Sequence, residues 1–194
     1  LDFITHSTET IVNQVKVLRG MVNAFGEFAE EPTLTIESFN IINVIKESIS
    51  LYSKRDNKKI FKLSFHSEEC VVQADEQKLR QVFNNLIKNA LDATVDVASP
   101  IINIKTSNLK INNEAYIELI ISDNGQGFEP DIVGTAFEPY VTTKTKGKGL
   151  GLAIVKHIIE EHMGHIELTN KKAQGASVII ILPLLQPKKD RPNE

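Results

Sequence analysis

The stretch Gln81–Ala93 reads Gln-Val-Phe-Asn-Asn-Leu-Ile-Lys-Asn-Ala-Leu-Asp-Ala and lies inside a segment, Asp75–Val97, that predicts one helix. Apolar residues recur there at spacings of three and four, which places them on one helix face. They are Leu79, Val82, Phe83, Leu86, Ala90 and Ala93. The opposite side carries Gln81, Asn85, Asn89, Asp92 and Asp96. Asparagine is a weak helix former, so these amides indicate a ligand-binding face, although alone they fit an ordinary solvated surface equally well.

Composition excludes several classes of protein. The chain has 194 residues with 22 Lys and Arg against 25 Asp and Glu, a net charge of −3, so we expect no nucleic-acid partner. The single cysteine, Cys70, excludes an internal disulfide framework and precedes a predicted strand, which favours a core position over a reactive thiol. There is no signal peptide and no apolar run near 18 residues. We therefore expect a cytoplasmic protein, and a start in mid-helix indicates a fragment of a longer one.

Three regions follow from the pattern along the chain. Residues 1–31 predict a long amphipathic helix whose apolar stripe is expected to pack on a partner helix or a second copy of the chain. Residues 33–186 predict one domain, and residues 187–194 a polar tail. The domain alternates strands with helices, which predicts a two-layer α/β sandwich with a mixed sheet and its helices on one face.

The boundaries of the predicted elements come from period, capping residues and turn residues. Three helices are predicted. They are Ile41–Ser53, which Asn40 caps, the amide-bearing helix Asp75–Val97, and Leu150–His162, for which Gly164 is the predicted C-cap residue. The predicted strands are Ile36–Phe39, Ile60–His66, Val71–Ala74, Ile101–Leu109, Ala115–Ser122, Ile166–Thr169 and Ser177–Leu182. Asn112-Asn113 predicts a tight turn. The irregular stretch Asp123–Lys148 is long enough to be a lid or a binding loop.

Three further clusters carry candidate chemistry. In Asp123-Asn124-Gly125-Gln126-Gly127-Phe128, a carboxylate at a strand end could accept from an exocyclic amine such as that of adenine, and the glycines would let backbone approach a flat ring. Phe137-Glu138-Pro139-Tyr140-Val141-Thr142-Thr143-Lys144 suits a mobile lid. Gly147-Lys148-Gly149-Leu150-Gly151-Leu152 opens a helix, where exposed N–H groups bind phosphate. Each cluster alone also fits an ordinary turn or loop.

Taken together, in this order and spacing, the four clusters resemble the N, G1, F and G2 boxes of the ATP-binding fold shared by sensor histidine kinases, Hsp90, DNA gyrase B and MutL. The resemblance spans about Asp75–Leu182, and Gly175-Ala176-Ser177 is similar to the small-residue motif before the family's last strand. It implies ATP and Mg²⁺ between the amide helix and the lid. Asparagine suits such a metal because it is an uncharged oxygen ligand for a hard ion already bound by phosphate.

The resemblance also implies the site residues. Asn89, assisted by Asn85, would bind Mg²⁺, Asp123 the adenine amine, and Gly125 and Gly127 would shape the base pocket. The remaining expected ATP contacts are Lys88, Asp92, Phe137, Thr143, Lys144, Lys146, Gly147, Lys148, Gly149, Leu150, Gly151, Leu152 and Ser177. Position 148 departs from the family, which usually has Thr or Ser there.

One position indicates the branch of the superfamily. The ATPases carry a glutamate one turn before the metal asparagine, as the base that activates water, whereas this chain has Asn85, and an amide cannot accept a proton near neutral pH. The resemblance is therefore to sensor histidine kinases, in detail to nitrogen-regulation kinases of the NtrY/NtrB type. It implies a response-regulator receiver domain as partner, and residues 1–31 as the second helix of a dimerisation and phosphotransfer hairpin, hence a homodimer.

The hairpin helix that carries the phospho-accepting histidine has no counterpart in this sequence. His6 is followed by Ser7-Thr8-Glu9, which does not match the family motif, and the other four histidines lie on or after predicted elements of the domain. We therefore expect the chain to hold ATP but not to autophosphorylate alone. Two alternatives stay open: an ATP-binding regulatory module without transfer, and a Ser/Thr kinase of the anti-sigma type, against which the long N-terminal helix argues.

Overall fold

The computed structural model describes residues 34–52, 60–142, 149–171 and 174–185. The predicted N-terminal helix and the polar tail lie outside these residues. Within them the strands are β1 (Glu37–Asn40), β2 (Phe61–Phe65), β3 (Val71–Ala74), β4 (Ile102–Ile111), β5 (Glu114–Asp123), β6 (His165–Asn170) and β7 (Ala176–Pro183). The helices are α1 (Ile41–Tyr52), α2 (Glu76–Ala93), α3 (Pro130–Val133) and α4 (Gly151–Glu161). None of these helices combines the length and the apolar character needed to cross a membrane.

A five-stranded mixed sheet forms one layer, with strand order β2-β4-β5-β7-β6. β2 and β4 run parallel, and the other neighbouring pairs are antiparallel. The β4–β5 hairpin closes at Asn112 and Asn113, whose φ angles of 50° and 73° are the left-handed values that a two-residue hairpin turn requires. The predicted turn is therefore confirmed.

One face of this sheet is buried beneath the helices. Ile104, Ile121, Val178 and Leu168 lie side by side on four neighbouring strands and all point into the core. Residues of α1, α2 and α4 complete the same apolar cluster, including Phe83, which is 1% exposed. The period of two in the strands and the period near 3.6 in the helices thus meet in one interior. The predicted α/β architecture, a mixed sheet with helices on one face, is confirmed.

A separate two-stranded antiparallel sheet, β1 with β3, joins the start of the domain to α1 and α2. The Oδ1 atom of Asn40 accepts from the Ile42 N–H at 3.1 Å and from the Cys70 N–H at 3.2 Å, so Asn40 caps α1 as predicted and also ties it to β3. Cys70 is 3% exposed, and burial raises the pKa of its thiol, so the predicted core position is confirmed.

α2 begins as predicted and ends earlier than predicted. The Oδ1 atom of Asp75 accepts from the Lys78 N–H at 3.0 Å, which is the expected N-cap bond. The helix stops at Ala93 rather than Val97, because the Thr94 hydroxyl donates to the carbonyl of Ala90 at 2.9 Å and its N–H bonds to Leu91 at 3.2 Å. These bonds satisfy carbonyls that would otherwise continue the helix.

The C-terminus of α4 corrects one prediction. The left-handed residue after the helix is Met163, with φ 55°, rather than Gly164. The Gly164 N–H donates to Ile159 at 2.9 Å and the Met163 N–H to Glu160 at 3.0 Å, which together form a Schellman motif. Gly164 is needed for a different reason: a Cβ there would lie 2.8 Å from the carbonyl oxygen of Ile181. Close packing of the helix end on β7 therefore requires the glycine.

His162 joins the end of α4 to the start of α2. Its ring is 5% exposed, its Nε2 accepts from the Asp75 N–H at 2.9 Å, and its Nδ1 lies 2.7 Å from the carbonyl oxygen of Ile158. Since Nε2 is the acceptor, Nδ1 carries the proton and donates to Ile158. Both ring nitrogens are thus used inside the fold.

We expect Asp75→Ala to lower the free energy of unfolding by about 1 kcal/mol at pH 7, the usual effect of losing an N-cap. Burial acts to raise the pKa of the Asp75 carboxyl, but the N–H groups of Lys78, Thr35 and Gln77 outweigh it and lower the pKa below 3.8. The stabilisation is therefore present above this value and is lost as pH falls through the folded-state pKa.

Denaturant unfolding of wild type and variant between pH 7 and pH 2 measures this difference. Asp96, an exposed carboxylate that follows the same helix, gives the matched control Asp96→Ala, which we expect to be neutral. If the difference in free energy of unfolding between Asp75→Ala and wild type stayed constant from pH 7 to pH 2, the stabilisation could not come from the charged carboxylate of Asp75.

Candidate functional site

The amide face of α2 lies away from the buried face of the helix. Asn85 and Asn89 are half-buried and one turn apart, while Lys88 and Asp92 are exposed. Leu86 and Ala90, their apolar neighbours, are in the core. Two amide side chains are therefore fixed on one side of a rigid helix, near its C-terminal half.

The loop that follows β5 lies against the end of the same helix. We call Asp123–Phe128 the β5 loop. A Cβ at Gly125 would overlap the carbonyl oxygen of Ala93, the last residue of α2. Only a residue without a side chain lets the loop approach the helix so closely. This contact brings the predicted base-binding residues to the end of α2 that carries Asn89.

Asp123 lies at the end of β5 and is 6% exposed. Its Oδ1 accepts from the Gly125 N–H at 2.7 Å and from the Ala176 N–H at 3.4 Å. Among the residues that the structure describes, none donates to Oδ2. The carboxylate is thus oriented by backbone groups through its Oδ1 atom.

The β5 loop is held at both ends by contacts that the sequence analysis did not identify. The Asn124 side chain accepts from the Ile101 N–H at 2.8 Å and donates to Ser99 at 2.9 Å. The Asn170 side chain accepts from the Phe128 N–H at 2.9 Å and donates to the Phe128 carbonyl at 2.6 Å. Asparagine next to a strand end was the only signal for either contact.

Gly175 was assigned to a small-residue motif, and the structure shows why the position is small. Its φ angle is +92°, and a Cβ there would overlap the carbonyl oxygen of Asp123. Ser177, a predicted ATP contact, pairs with Ser122, so alternation puts its side chain on the opposite face of the sheet from Ala176. The register therefore brings Ala176, and not Ser177, beside the Asp123 carboxylate.

The described part of the lid is anchored at both ends. Phe137 packs against the core cluster. The Tyr140 N–H donates to the carbonyl of Gly149 at 2.9 Å, and a Cβ at Gly149, where φ is +66°, would lie 2.8 Å from the Tyr140 Cα. Tyr140 and Gly149, which flank residues 141–148 of the chain, are therefore in contact. Five predicted site residues in that segment lie outside the described residues: Thr143, Lys144, Lys146, Gly147 and Lys148.

α4 begins just after the lid in the chain. Gly151 is its first helical residue, and among the residues that the structure describes no side chain caps the helix and a Cβ at Gly151 would meet nothing within 4 Å. The first N–H groups of a helix have no partner within the helix and attract anions. Leu150 is buried and Leu152 packs against the core, so they fix this end of α4. This helix end is therefore where the predicted ATP contacts Leu150, Gly151 and Leu152 lie.

The comparison with protein families agrees with this arrangement. The model of histidine kinase-, DNA gyrase B- and HSP90-like ATPases matches residues 74–186, the span from β3 to the end of the sheet. The chain belongs to this ATPase family. The match includes α2, the β5 loop, the lid and α4. The predicted resemblance to the ATP-binding fold of sensor histidine kinases is therefore confirmed at the level of the family.

The most similar relatives include proteins named as sensor histidine kinases. The chain is 33% identical over 172 residues to a putative NtrY-like sensor histidine kinase of Rickettsia bellii, covering 88% of this chain and 27% of the relative. It is 30% identical over 184 residues to the sensor histidine kinase ZraS of Salmonella typhi, covering 94% of this chain and 38% of the relative. The chain thus spans less than two-fifths of the length of the relatives it matches.

Solved structures give the same answer for the fold. The catalytic domain of the histidine kinase ThkA, nucleotide-free, is 29% identical with a TM-score of 0.65, covering 76% of this chain and 95% of that one. ThkA in complex with the response regulator TrrA is 26% identical with a TM-score of 0.71, covering 93% and 51%. Full-length ShkA in complex with AMPPNP has a TM-score of 0.70 at 23% identity, covering 90% and 36%. This last likeness shows the fold alone.

Proposed function

We propose that this chain is the ATP-binding catalytic domain of a sensor histidine kinase. It would transfer the γ-phosphoryl of ATP to a histidine on a helix that this chain does not supply, and from there the phosphoryl would pass to an aspartate of a response regulator. The observation that carries the proposal is the pair Asn85 and Asn89 on the face of α2 that ends at the β5 loop. These two amides would bind the metal ion, and position 85 carries an amide in place of the carboxylate that would act as a base.

The base would bind between α2 and the β5 loop. The Oδ2 atom of Asp123, to which no described residue donates, would accept from the amine of adenine, while Oδ1 stays bonded to the Gly125 N–H. The close contact between Gly125 and Ala93 would fix how the β5 loop, and Asp123 with it, lies against the end of α2 beside the flat ring. Discrimination between purines follows, because an oxygen at the same ring position would face the carboxylate without a proton to donate.

The phosphates would extend from the base towards the N-terminus of α4. The N–H groups of the first turn of α4, which have no partner within the helix, and the positive end of the helix dipole would favour an anion there. Gly149, which leaves no room for a Cβ beside Tyr140, would let the lid backbone come close to the phosphate oxygens. Lys88 and Asp92 on α2, and the lysines at 144, 146 and 148, would complete the polar boundary of this region.

The donor set of α2 fits a magnesium ion that arrives with the nucleotide. Amide oxygens are hard, neutral ligands, and magnesium retains waters and phosphate oxygens rather than requiring a cage of carboxylates. Asn89, with Asn85 one turn earlier, would bind the ion. When bound, it would neutralise charge on the phosphate oxygens.

Residue 85 decides between transfer and hydrolysis. A water would need a group that accepts its proton, and an amide oxygen or nitrogen does not do so near neutral pH. Phosphoryl transfer needs little covalent chemistry from the protein, since orientation and charge neutralisation provide most of the rate enhancement. An acceptor that brings its own nucleophile, such as the imidazole of a histidine, removes the need for a base at position 85.

The acceptor histidine would come from another segment of the full protein. His162 has both ring nitrogens bonded inside the fold, to Asp75 and Ile158, so it is not available for phosphorylation. Residues 1–31 would form half of the dimerisation hairpin, residues 33–186 the catalytic domain, and residues 187–194 a tail. A response-regulator receiver domain as partner is supported by the ThkA complex with TrrA. The proposed location is the cytoplasm, as part of a sensor with or without a membrane anchor.

Transfer in trans tests the proposal. We expect this chain, with Mg²⁺ and γ-labelled ATP, to label a separate hairpin polypeptide from an NtrY-like kinase that carries its acceptor histidine. The label should be lost in acid and should survive base, as a phosphoramidate does. A hairpin with that histidine replaced by alanine is the matched control and should stay unlabelled.

The other outcomes separate the alternatives. ATP binding without any label on the hairpin would favour a regulatory module in which ATP controls the order of the lid. A label that survives acid but not base would identify a hydroxyl acceptor and favour the Ser/Thr kinase. Absence of ATP binding by the folded chain would overturn the proposed function altogether.

A further inference from the structure

Asn170 is the last residue of β6, the edge strand of the sheet, and pairs there with Ala176 of β7. Its side chain bonds to the last residue of the β5 loop: Oδ1 accepts from the Phe128 N–H at 2.9 Å and Nδ2 donates to the Phe128 carbonyl at 2.6 Å. A single side chain thus satisfies both backbone groups of the residue that ends the β5 loop.

The Asn170 side chain bonds to Phe128 as the backbone of an adjacent β-strand would. The asparagine amide offers one donor and one acceptor in a plane, as a peptide group does, so it can replace the backbone of an adjacent strand. Phe128 lies in an irregular segment beyond the end of β5, where none of the described strands pairs with it. Without Asn170, its N–H and carbonyl would bond to water and the end of the β5 loop would be less constrained.

The neighbouring residues are adapted to this contact. Gly127 has φ +74°, and a Cβ there would lie 3.0 Å from Oδ1 of Asn170. A larger residue would therefore push the amide away from Phe128 as well as strain the backbone. At the other end of the loop, Lys171 donates through Nζ to the carbonyl of Asp123 at 3.2 Å, and Gly175 lies against the same carbonyl. The residues that flank the β6–β7 connection thus contact both ends of the β5 loop.

We propose that Asn170 is a positioning residue for the nucleotide base, because it holds the β5 loop in the conformation that receives the ring. This inference rests on the proposed function. A loop that visits other conformations binds more weakly in proportion to the fraction of time spent in the competent one. Asn170 therefore affects the affinity for ligands that contain adenine, and not the affinity of the triphosphate region at the N-terminus of α4.

Calorimetry on the full chain with two ligands tests this. For Asn170→Ala we expect the affinity for ATP with Mg²⁺ to fall by about 3- to 10-fold, the size of effect that one or two exposed hydrogen bonds produce. The affinity for inorganic tripolyphosphate with Mg²⁺ should be unchanged. Asn108→Ala is the matched control, because Asn108 is an exposed asparagine on β4, six residues along that strand from the residue that pairs with Asp123. It should leave both affinities unchanged.

Unchanged ATP affinity in a folded Asn170→Ala variant, or an equal loss for both ligands, would overturn the inference. Hydrogen exchange of the unliganded wild type gives a second measurement that does not depend on the variant. The Phe128 amide should be protected in the wild type, and exchange at the rate of an unstructured peptide would also overturn it. Failure of the wild type to bind ATP is a separate result, which would overturn the proposed function instead.

Discussion

Asn89→Ala should weaken the binding of ATP in the presence of Mg²⁺ by at least about 100-fold, because changes to groups that merely support a metal ligand already cost about 10- to 100-fold. The substitution removes the proposed amide ligand from a helix whose buried face it does not touch, so the fold should persist. Alanine is also the better helix former. Calorimetry with Mg²⁺, repeated with a chelator, measures both the loss and its dependence on the metal.

Asn84→Ala is the matched control for this experiment. Asn84 lies on the same helix, five residues away, with its backbone carbonyl 3.5 Å from the Tyr52 hydroxyl of α1 and its Oδ1 buried. The same substitution on that side of the helix should leave the metal-dependent affinity unchanged. If Asn89→Ala bound ATP as tightly as the wild type, the role given to Asn89 would be wrong, even though the family assignment would stand.

Gly125→Ala should both destabilise the domain and weaken ATP binding. The new Cβ would overlap the carbonyl oxygen of Ala93. Neither atom can move aside by a change of rotamer, because a Cβ is fixed by its own backbone and the oxygen belongs to the backbone. Overpacking of this kind costs about 1–3 kcal/mol. The structure can relieve the overlap only by moving the β5 loop away from α2, which displaces Asp123, so we also expect an affinity loss of about 10-fold or more.

Denaturant unfolding and calorimetry on the same samples separate the two effects. Gly134→Ala is the matched control, since a Cβ there meets nothing within 4 Å and φ is −69°, a value that any residue adopts. We expect Gly134→Ala to be neutral or to stabilise by up to about 1 kcal/mol. Equal stability and equal affinity in Gly125→Ala and wild type would refute the close approach of the β5 loop to α2.

Periodicity in the sequence predicted most of the fold because the core is regular. The apolar spacing of α2 identified the helix and its N-cap Asp75, and alternation identified the strands to within one or two residues. The end of α2 was missed because the Thr94 hydroxyl, which terminates it, forms bonds that leave no periodic signal. The prediction of Gly164 as the C-cap residue was wrong because a glycine can serve either a left-handed backbone conformation or close packing. Only the surrounding structure distinguishes these two roles.

The contacts that the sequence did not predict join residues far apart in the chain. Asn170 and Phe128 are 42 residues apart, and Asp75 and His162 are 87 apart. Both are bonds between a side chain and the backbone, and no local pattern encodes their partner. For Ser177, the motif gives the position in the chain, and the register with β5 gives the face of the sheet on which its side chain lies.

The hydrogen bond from the Asp75 amide to the buried His162 bears on the proposed role in signalling. This bond connects the start of α2, which carries the proposed metal ligands, to the end of α4, which follows the lid, and both bonded groups are buried. Movement of one helix relative to the other would break this bond and leave a buried amide unpaired. We therefore expect that a stimulus received elsewhere in the proposed full protein moves the ATP-bound domain as one rigid body. Such a movement would change the distance between the nucleotide and its acceptor and would leave the shape of the binding site unchanged.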